Sequence, residues 1–207
     1  MKKFTASSSR LKDLLVLGPL APELNEFFRS LPCLAIDGAK GVDTLQNEVI
    51  RIGDGDSGPA EQMDILLEQK KDASDLAIAL EFIPSEAERI HMLGFKGGRT
   101  DHELANYAEI YRYQQLSNSK TFIFYNESRH EYAYFFSPGQ YTIDIKDLFS
   151  LFTFEEGQLS IAGDCEYHWE GAFRPYSSLG LSNTGRGQVH LKSTTAFMLF
   201  NQGTVRL

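Results

Sequence analysis

Apolar positions follow two different rhythms along this chain. Up to about residue 116, short apolar runs alternate with stretches in which apolar residues recur every three or four positions. Asp13–Gly18, Cys33–Ile36, Glu48–Ile52 and Arg89–Leu93 read as buried strands, each followed by turn residues such as Gly18-Pro19, Asp37-Gly38 and Gly53-Asp54-Gly55-Asp56. Helical spacing is read over Ala21–Leu31 (Leu24, Phe27, Phe28, Leu31) and Ala60–Gln69 (Met63, Leu66, Leu67). It is read again over Asp75–Phe82 (Leu76, Ala79, Leu80) and over Asp101–Leu116. Strands alternating with helices predict an α/β unit built on a mostly parallel, Rossmann-like sheet.

After about Ser119 the rhythm shortens. Thr121–Tyr125, Glu131–Phe136, Gln140–Ile145, Gln158–Ile161, Gln188–Leu191 and Ala196–Phe200 are aromatic or β-branched and separated by turn residues. That spacing predicts an antiparallel all-β sandwich or barrel. A boundary near Leu116–Lys120 divides the chain into residues 1–118 and 119–207.

Composition narrows the function classes. Apolar residues are 42% and charged residues 23% of the 207, as expected for a folded domain. Twenty basic against twenty-eight acidic residues give a net charge of −8, which argues against nucleic acid or an anionic membrane as partner. Cys33 and Cys165 are the only cysteines, so no disulfide framework is present and a reducing compartment is expected. Lys12 and Asp13 fall where a signal peptide needs an apolar core, and no run approaches the roughly 18 apolar residues of a membrane span. A cytoplasmic location is the resulting expectation.

The chemistry-bearing residues gather at the predicted strand ends. Asp37, Asp54, Asp56, Gly97, Gly98 and Arg99 all follow predicted strands, where parallel sheets collect ligands. Gly94–Asn106 (GFKGGRTDHELAN) combines a glycine turn, a guanidinium, a carboxylate, an imidazole and an amide at a helix start. Such a junction suits an anion, with Asp101 and His102 able to hold a metal, a water or a hydroxyl. It serves equally as a capped strand-to-helix turn. In GDGDS, Asp54 and Asp56 point the same way in extended backbone, a costly pairing without a cation. An EF-hand is excluded because Pro59 occupies the position of the required glycine. Asp72 and Asp75 in KDASD share a helix face, and together these carboxylates suit Mg²⁺ bridging nucleotide phosphates. No Walker P-loop and no G-x-G-x-x-G follows the first strand. Tyr167 and Trp169 can stack on a flat ring or fill a core, and Ser182-Asn183 can clip a ligand or shape a turn.

Taken in order, AIDGAKG (Ala35–Gly41), IGDGDS (Ile52–Ser57), KDASDLAIAL (Lys71–Leu80), GGRTDHELAN (Gly97–Asn106) and SSLGLSN (Ser177–Asn183) resemble the motifs of the thiamine pyrophosphokinases. Those motifs have the forms ADGG, GDxDS, KDxTD, GGRxDHxxxN and GTSN or GLSN. The resemblance implies a nucleotide-binding α/β domain, a thiamine-binding β sandwich, and a homodimer whose active sites are shared between subunits. It implies pyrophosphoryl transfer from ATP to the hydroxyl of thiamine, giving thiamine diphosphate and AMP. By position, Asp54, Asp56 and Asp75 match the metal ligands, with Asp72 near the phosphates. Ser74, Gly98, Arg99, Asp101, His102 and Asn106 match the nucleotide side and the phosphoryl path. Asp37, Tyr167, Trp169, Ser182 and Asn183 match the acceptor side. Asp75 or Asp101 is the candidate base. Ala39 stands in place of the second glycine of ADGG, and Ser74 in place of threonine. The aromatic GLKY or GLKW motif is replaced by Gly163-Asp164-Cys165-Glu166-Tyr167, which opens the alternative of another hydroxyalkyl heterocycle as acceptor; a nucleotide- or thiamine-binding sensor without turnover is the alternative from a different class.

Overall fold

The computed structural model describes residues 4, 12–116, 120–126, 130–175 and 177–203. The boundary expected near residue 118 lies outside them, as does most of the leading segment considered as a signal peptide. The chain divides into two compact units, Met1–Tyr113 and Gln114–Leu207.

In the first unit the strands are β1 (Asp13–Leu17), β2 (Cys33–Ile36), β3 (Val49–Gly53), β4 (Ile65–Leu66) and β5 (Arg89–Leu93). They pair in parallel in the order β5-β1-β2-β3-β4. Leu14, Leu15, Leu17, Leu34, Ile52 and Ile90 are fully buried, as the continuous apolar runs of covered parallel strands require. The helices are α1 (Glu26–Arg29), α2 (Asp75–Ala79) and α3 (Thr100–Leu116). Asn25 caps α1 by accepting the Phe28 N–H at 3.1 Å, and Ser74 caps α2 by accepting that of Ala77 at 3.1 Å.

The second unit is antiparallel, with β6 (Thr121–Asn126), β7 (Glu131–Phe136), β8 (Gly139–Ile145), β9 (Leu148–Thr153), β10 (Gly157–Cys165), β11 (Trp169–Phe173), β12 (Asn183–Ser193) and β13 (Phe197–Gln202). Its ladder runs β6-β7-β13-β9-β12-β10-β11, and β8 also pairs with β12. The first residues of β12 pair with β9, and its later residues pair with β8 on one side and β10 on the other. A core of Phe136, Ile143, Ile145, Phe149, Leu151, Phe173, Val189 and Phe197 fills this unit. Each such side chain contributes roughly 1.5–3 kcal/mol when fully buried.

These facts correct the expected fold class. Among the described residues strand outweighs helix, with thirteen strands against three α-helices, the strands parallel in the first unit and antiparallel in the second. It is not a Rossmann-like α/β domain joined to a separate β sandwich. The expected crossover helices shrink for local reasons. Ala60–Gln69 gives a 3-10 turn (Ala60–Gln62) and then β4, because the edge of β3 captures it: Asp64 N–H bonds Arg51 O at 3.0 Å and Asp64 Oδ2 accepts the Arg51 N–H at 2.9 Å. Ala21–Leu31 is helical only over α1, between Pro22 and Pro32. In the second unit β12 takes part in both ladders, so the strands do not separate into two independent sheets. No helix among the described residues is long and apolar enough to cross a membrane.

Candidate active site

Register brings the first acidic residues together. Ile36 of β2 pairs with Ile52 of β3, so the two strands end side by side and hand over to Asp37 and to Gly53-Asp54. The approach is close: a Cβ on Gly53 would lie 2.1 Å from the Asp37 Cβ, so only glycine fits there. Asp75, the first residue of α2, completes a triplet. One oxygen each from Asp37, Asp54 and Asp75 lies within 4.8 Å of the others.

The triplet is a donor set of hard oxygens, the type that Mg²⁺ takes alongside waters. Its electrostatics are unbalanced. Asp37 is 7% exposed; its Oδ2 accepts the Gly55 N–H at 2.7 Å, while its Oδ1 is buried with no hydrogen-bond partner. An orphan carboxylate oxygen inside a protein is costly unless a cation or water meets it. Lys71 supplies partial compensation, with its Nζ 2.7 Å from Asp54 Oδ2 and 2.7 Å from Asp75 Oδ1. The Lys71 hydrogen bond holds the Asp54 carboxyl below its ordinary range. Burial lowers the Lys71 ammonium, but its bonds to Asp54 and Asp75 outweigh that and raise it.

Beside the triplet lies a cavity of about 590 Å³ in the same unit. Asp37, Ser74 and Asp75 line one part, and Pro19 and Leu20 after β1, Gly94 and Phe95 after β5, and Gly98, Arg99, His102, Glu103 and Asn106 line the rest. It opens where the chain leaves β1 toward β2 and leaves β5 on the other side of β1, the switch point at which parallel sheets bind ligands. Gly94 takes φ +84° there, and a Cβ on it would strike the Ala21 backbone N at 2.4 Å. Gly97 has positive φ, at +84°, whereas Gly98 does not; a Cβ on Gly98 would lie 2.5 Å from Leu20 Cδ1.

The opening of α3 is already tied up internally. Arg99 binds Asp101 through both arms, Nε to Oδ1 at 3.1 Å and the terminal nitrogen to Oδ2 at 2.6 Å. That pair is exposed, and Arg99 holds the Asp101 carboxyl down at about 2. Glu103 Oε2 accepts the Gly97 N–H at 3.2 Å and its Oε1 accepts the Tyr107 hydroxyl at 2.5 Å.

Other residues named from the sequence are not members of the triplet. Asp56 is exposed and accepts the Ser57 hydroxyl at 2.8 Å, and Asp72 is exposed between Lys71 and the cap Ser74. In the second unit Tyr167 is 61% exposed and Trp169 opens β11. Ser182 has φ +59°, a left-handed value unusual for serine, and its N–H donates to Ser150 Oγ at 3.1 Å. Asn183 is buried: its Oδ1 accepts the N–H groups of Tyr167 (3.0 Å) and Thr184 (2.9 Å), and its Nδ2 donates to Tyr167 O at 2.7 Å. Its amide therefore holds the Tyr167 peptide.

Sequence reasoning missed Lys71 and Glu103, and it placed Asp37 with the acceptor rather than in the carboxylate triplet. The i,i+4 spacing of Lys71 and Asp75 was the available signal for the lysine.

No protein-family model and no curated protein matches the chain. Solved structures do. The thiamine pyrophosphokinase of Bacillus subtilis matches with a TM-score of 0.72 at 20% identity, covering 92% of this chain and 98% of that one. That of Geobacillus thermodenitrificans gives 0.72 at 19% identity over 93% and 98%. The Candida albicans enzyme gives 0.61 at 10% identity over 98% and 96%. The chain thus has the fold of these thiamine pyrophosphokinases, the family its motifs resemble.

Proposed function

We propose that this protein is an ATP-dependent thiamine pyrophosphokinase, producing thiamine diphosphate and AMP. One observation carries the reading: the Asp37–Asp54–Asp75 triplet, with its orphan Asp37 oxygen, beside a cavity at the strand ends of a thiamine pyrophosphokinase fold. Asp54 and Asp75, with Asp37, are the residues to hold Mg²⁺, and Asp56, exposed two residues after Asp54, is the further carboxylate proposed for it. The ion would supply neutralisation of phosphate charge when bound. In the reaction, the hydroxyl oxygen of the acceptor bonds to the β-phosphorus. The bond from that phosphorus to the oxygen bridging to the α-phosphate breaks, and AMP leaves with that oxygen. The hydroxyl proton passes to a carboxylate. Asp75 and Asp101 are the two carboxylates offered for that proton; Asp101 becomes available once Arg99 leaves it, and Asp75 once Lys71 does. Arg99 steadies the phosphates once it exchanges Asp101 for them, and Gly98, Ser74, His102 and Asn106 border the nucleotide. Asp72 lies beside the phosphate path.

The first unit is read as the nucleotide domain and the second as the acceptor domain. Tyr167 and Trp169 offer rings to the acceptor and Ser182 a hydroxyl, with Asn183 holding the Tyr167 backbone. We read the working enzyme as a cytoplasmic homodimer with shared sites, which light scattering of the purified protein would test. A coupled assay for AMP and thiamine diphosphate with ATP and Mg²⁺ tests the activity, and the absence of both products at high enzyme would refute it. The replaced GLKY motif favours a second reading, another hydroxyalkyl heterocycle as acceptor; AMP release with such an alcohol and not with thiamine would select it. Saturable binding of ATP and thiamine without AMP release would instead identify a sensor.

A further inference from the structure

We infer that Lys71 is the built-in counter-cation of the carboxylate triplet, and that it makes divalent-metal uptake dependent on an arriving polyphosphate. The inference rests on the reading of the triplet as a metal site. Lys71 Nζ is 2.7 Å from Asp54 and 2.7 Å from Asp75, so it occupies two of the three carboxylates that a metal would use. Its side chain is 15% exposed, which removes it from the class of weak, freely solvated surface pairs. The third carboxylate behaves differently: Asp37 is nearly buried, and its Oδ1 has no hydrogen-bond partner. Within the triplet the ammonium therefore engages two carboxylates, while the third, Asp37, is bonded among the described residues only to the Gly55 N–H.

Charge explains the consequence. Three carboxylates and one ammonium leave two net negative charges, which one divalent ion neutralises. An ion entering alone must, however, either evict Lys71 from Asp54 and Asp75 or sit a few ångströms from a like charge in a poorly solvated place. Eviction into water gives the ammonium no replacement for two short ionic bonds. A polyphosphate in the adjoining cavity, which Asp75 also lines, gives it one. Metal and polyphosphate then bind cooperatively, and Lys71 is the positioning residue that couples them.

The test is binding of free Mn²⁺ to the full chain, followed by electron paramagnetic resonance without nucleotide. Lys71→Met should bind Mn²⁺ at least about tenfold tighter than the unmodified protein, as expected when a like charge leaves a metal site. Adding inorganic tripolyphosphate, with its own chelation subtracted, should raise Mn²⁺ affinity in the unmodified protein and raise it far less in Lys71→Met. Lys71→Arg, which keeps the charge, should stay weak, and Lys71→Gln should tighten; this pair decides the matter if the methionine variant does not fold. Unchanged or weaker Mn²⁺ binding in the neutral variants overturns the role of Lys71. Asp54→Asn separates that failure from the larger one. If it leaves Mn²⁺ binding intact, the triplet is not the metal site, and the proposed function falls with it; if it removes binding while the neutral variants fail to tighten, only the Lys71 inference falls.

Discussion

The strand-end corner of the first unit and the Tyr167–Asn183 corner of the second treat their polar groups in opposite ways. Around Asp37, Asp54 and Asp75, like charges are crowded together, one oxygen is left without a partner, and a single ammonium offsets part of the imbalance. Around Asn183, three bonds of the buried amide go to neighbouring backbone, and the side chain presented outward is the ring of Tyr167. The first corner stores an electrostatic deficit that a ligand relieves. The second is satisfied internally and offers shape. The proposed transfer of phosphoryl groups to an alcohol carried by a flat heterocycle would use one corner of each kind.

The largest expected effect comes from removing the deficit. Asp54→Asn combined with Asp56→Asn should lower diphosphoryl transfer by about 10³-fold while the circular dichroism spectrum is held. Undiminished turnover in that variant would refute the assignment of these carboxylates. Next comes Gly53→Ala, which pushes a methyl into Asp37; we expect roughly 10²-fold less activity and a loss of about 1–3 kcal/mol in denaturant titration. An alanine enzyme of native stability and rate would show that Asp37 is not fixed by that contact.

Asn183→Ala should act on the other corner. Losing a buried amide that holds three backbone groups is expected to cost about 1–3 kcal/mol, with KM for the acceptor rising several-fold and KM for ATP unchanged. Equal changes in both constants would remove the distinction drawn between the corners. The smallest effect is in acid. Burial raises the Asp13 carboxyl, but hydrogen bonds from His91 and Arg89 outweigh it and hold it far below the usual range. A depressed folded value means stability present above the unfolded value of about 3.9 and lost as pH falls toward the folded one. Asp54 shifts in the same direction, whereas the shifts resolved in the second unit, Tyr141 and Cys165, are upward, through burial first, and silent in acid. Hydrogen exchange, corrected for intrinsic rates, should therefore rise in β1 and β5 before β7 and β13 as pH drops from 5 to 2. The reverse order would contradict this.

How much of this was legible depended on range. Cys33–Ile36, Arg89–Leu93 and Glu131–Phe136 form strands at the bounds read from their apolar runs, because unbroken burial is a local signal. Leu148–Thr153 and Trp169–Phe173 were overlooked: the first follows a charged turn, and the second carries Glu170 and Gly171 in place of a clean alternation. Helix length was overread in Ala60–Gln69, where edge pairing with Arg51 overrides the spacing of Met63 and Leu66. The fold class was misjudged for the same reason, since spacing alone does not show that connections stay too short for full helices. In the site, GDGDS and KDASD announced carboxylates, but that Asp37 joins Asp54 and Asp75 follows from the pairing of Ile36 with Ile52, which no local pattern carries.

The long strand β12 also sets a timetable. It joins Phe149 at one end, Ile143 through its middle and Leu159 at the other, and Asn183 is its first residue. As the chain is synthesised, the parallel ladder of the first unit can close once Leu93 has emerged, because β5 is its last strand. The acceptor corner has no such early option. Tyr167 is made before the amide that will hold it, and the hairpin of β6 and β7 waits for Phe197–Gln202, the strand that pairs with β7. The half of the protein that handles charge is thus complete while the half that offers shape is still being translated, and the unfinished second unit is the interval in which a nascent chain most needs protection.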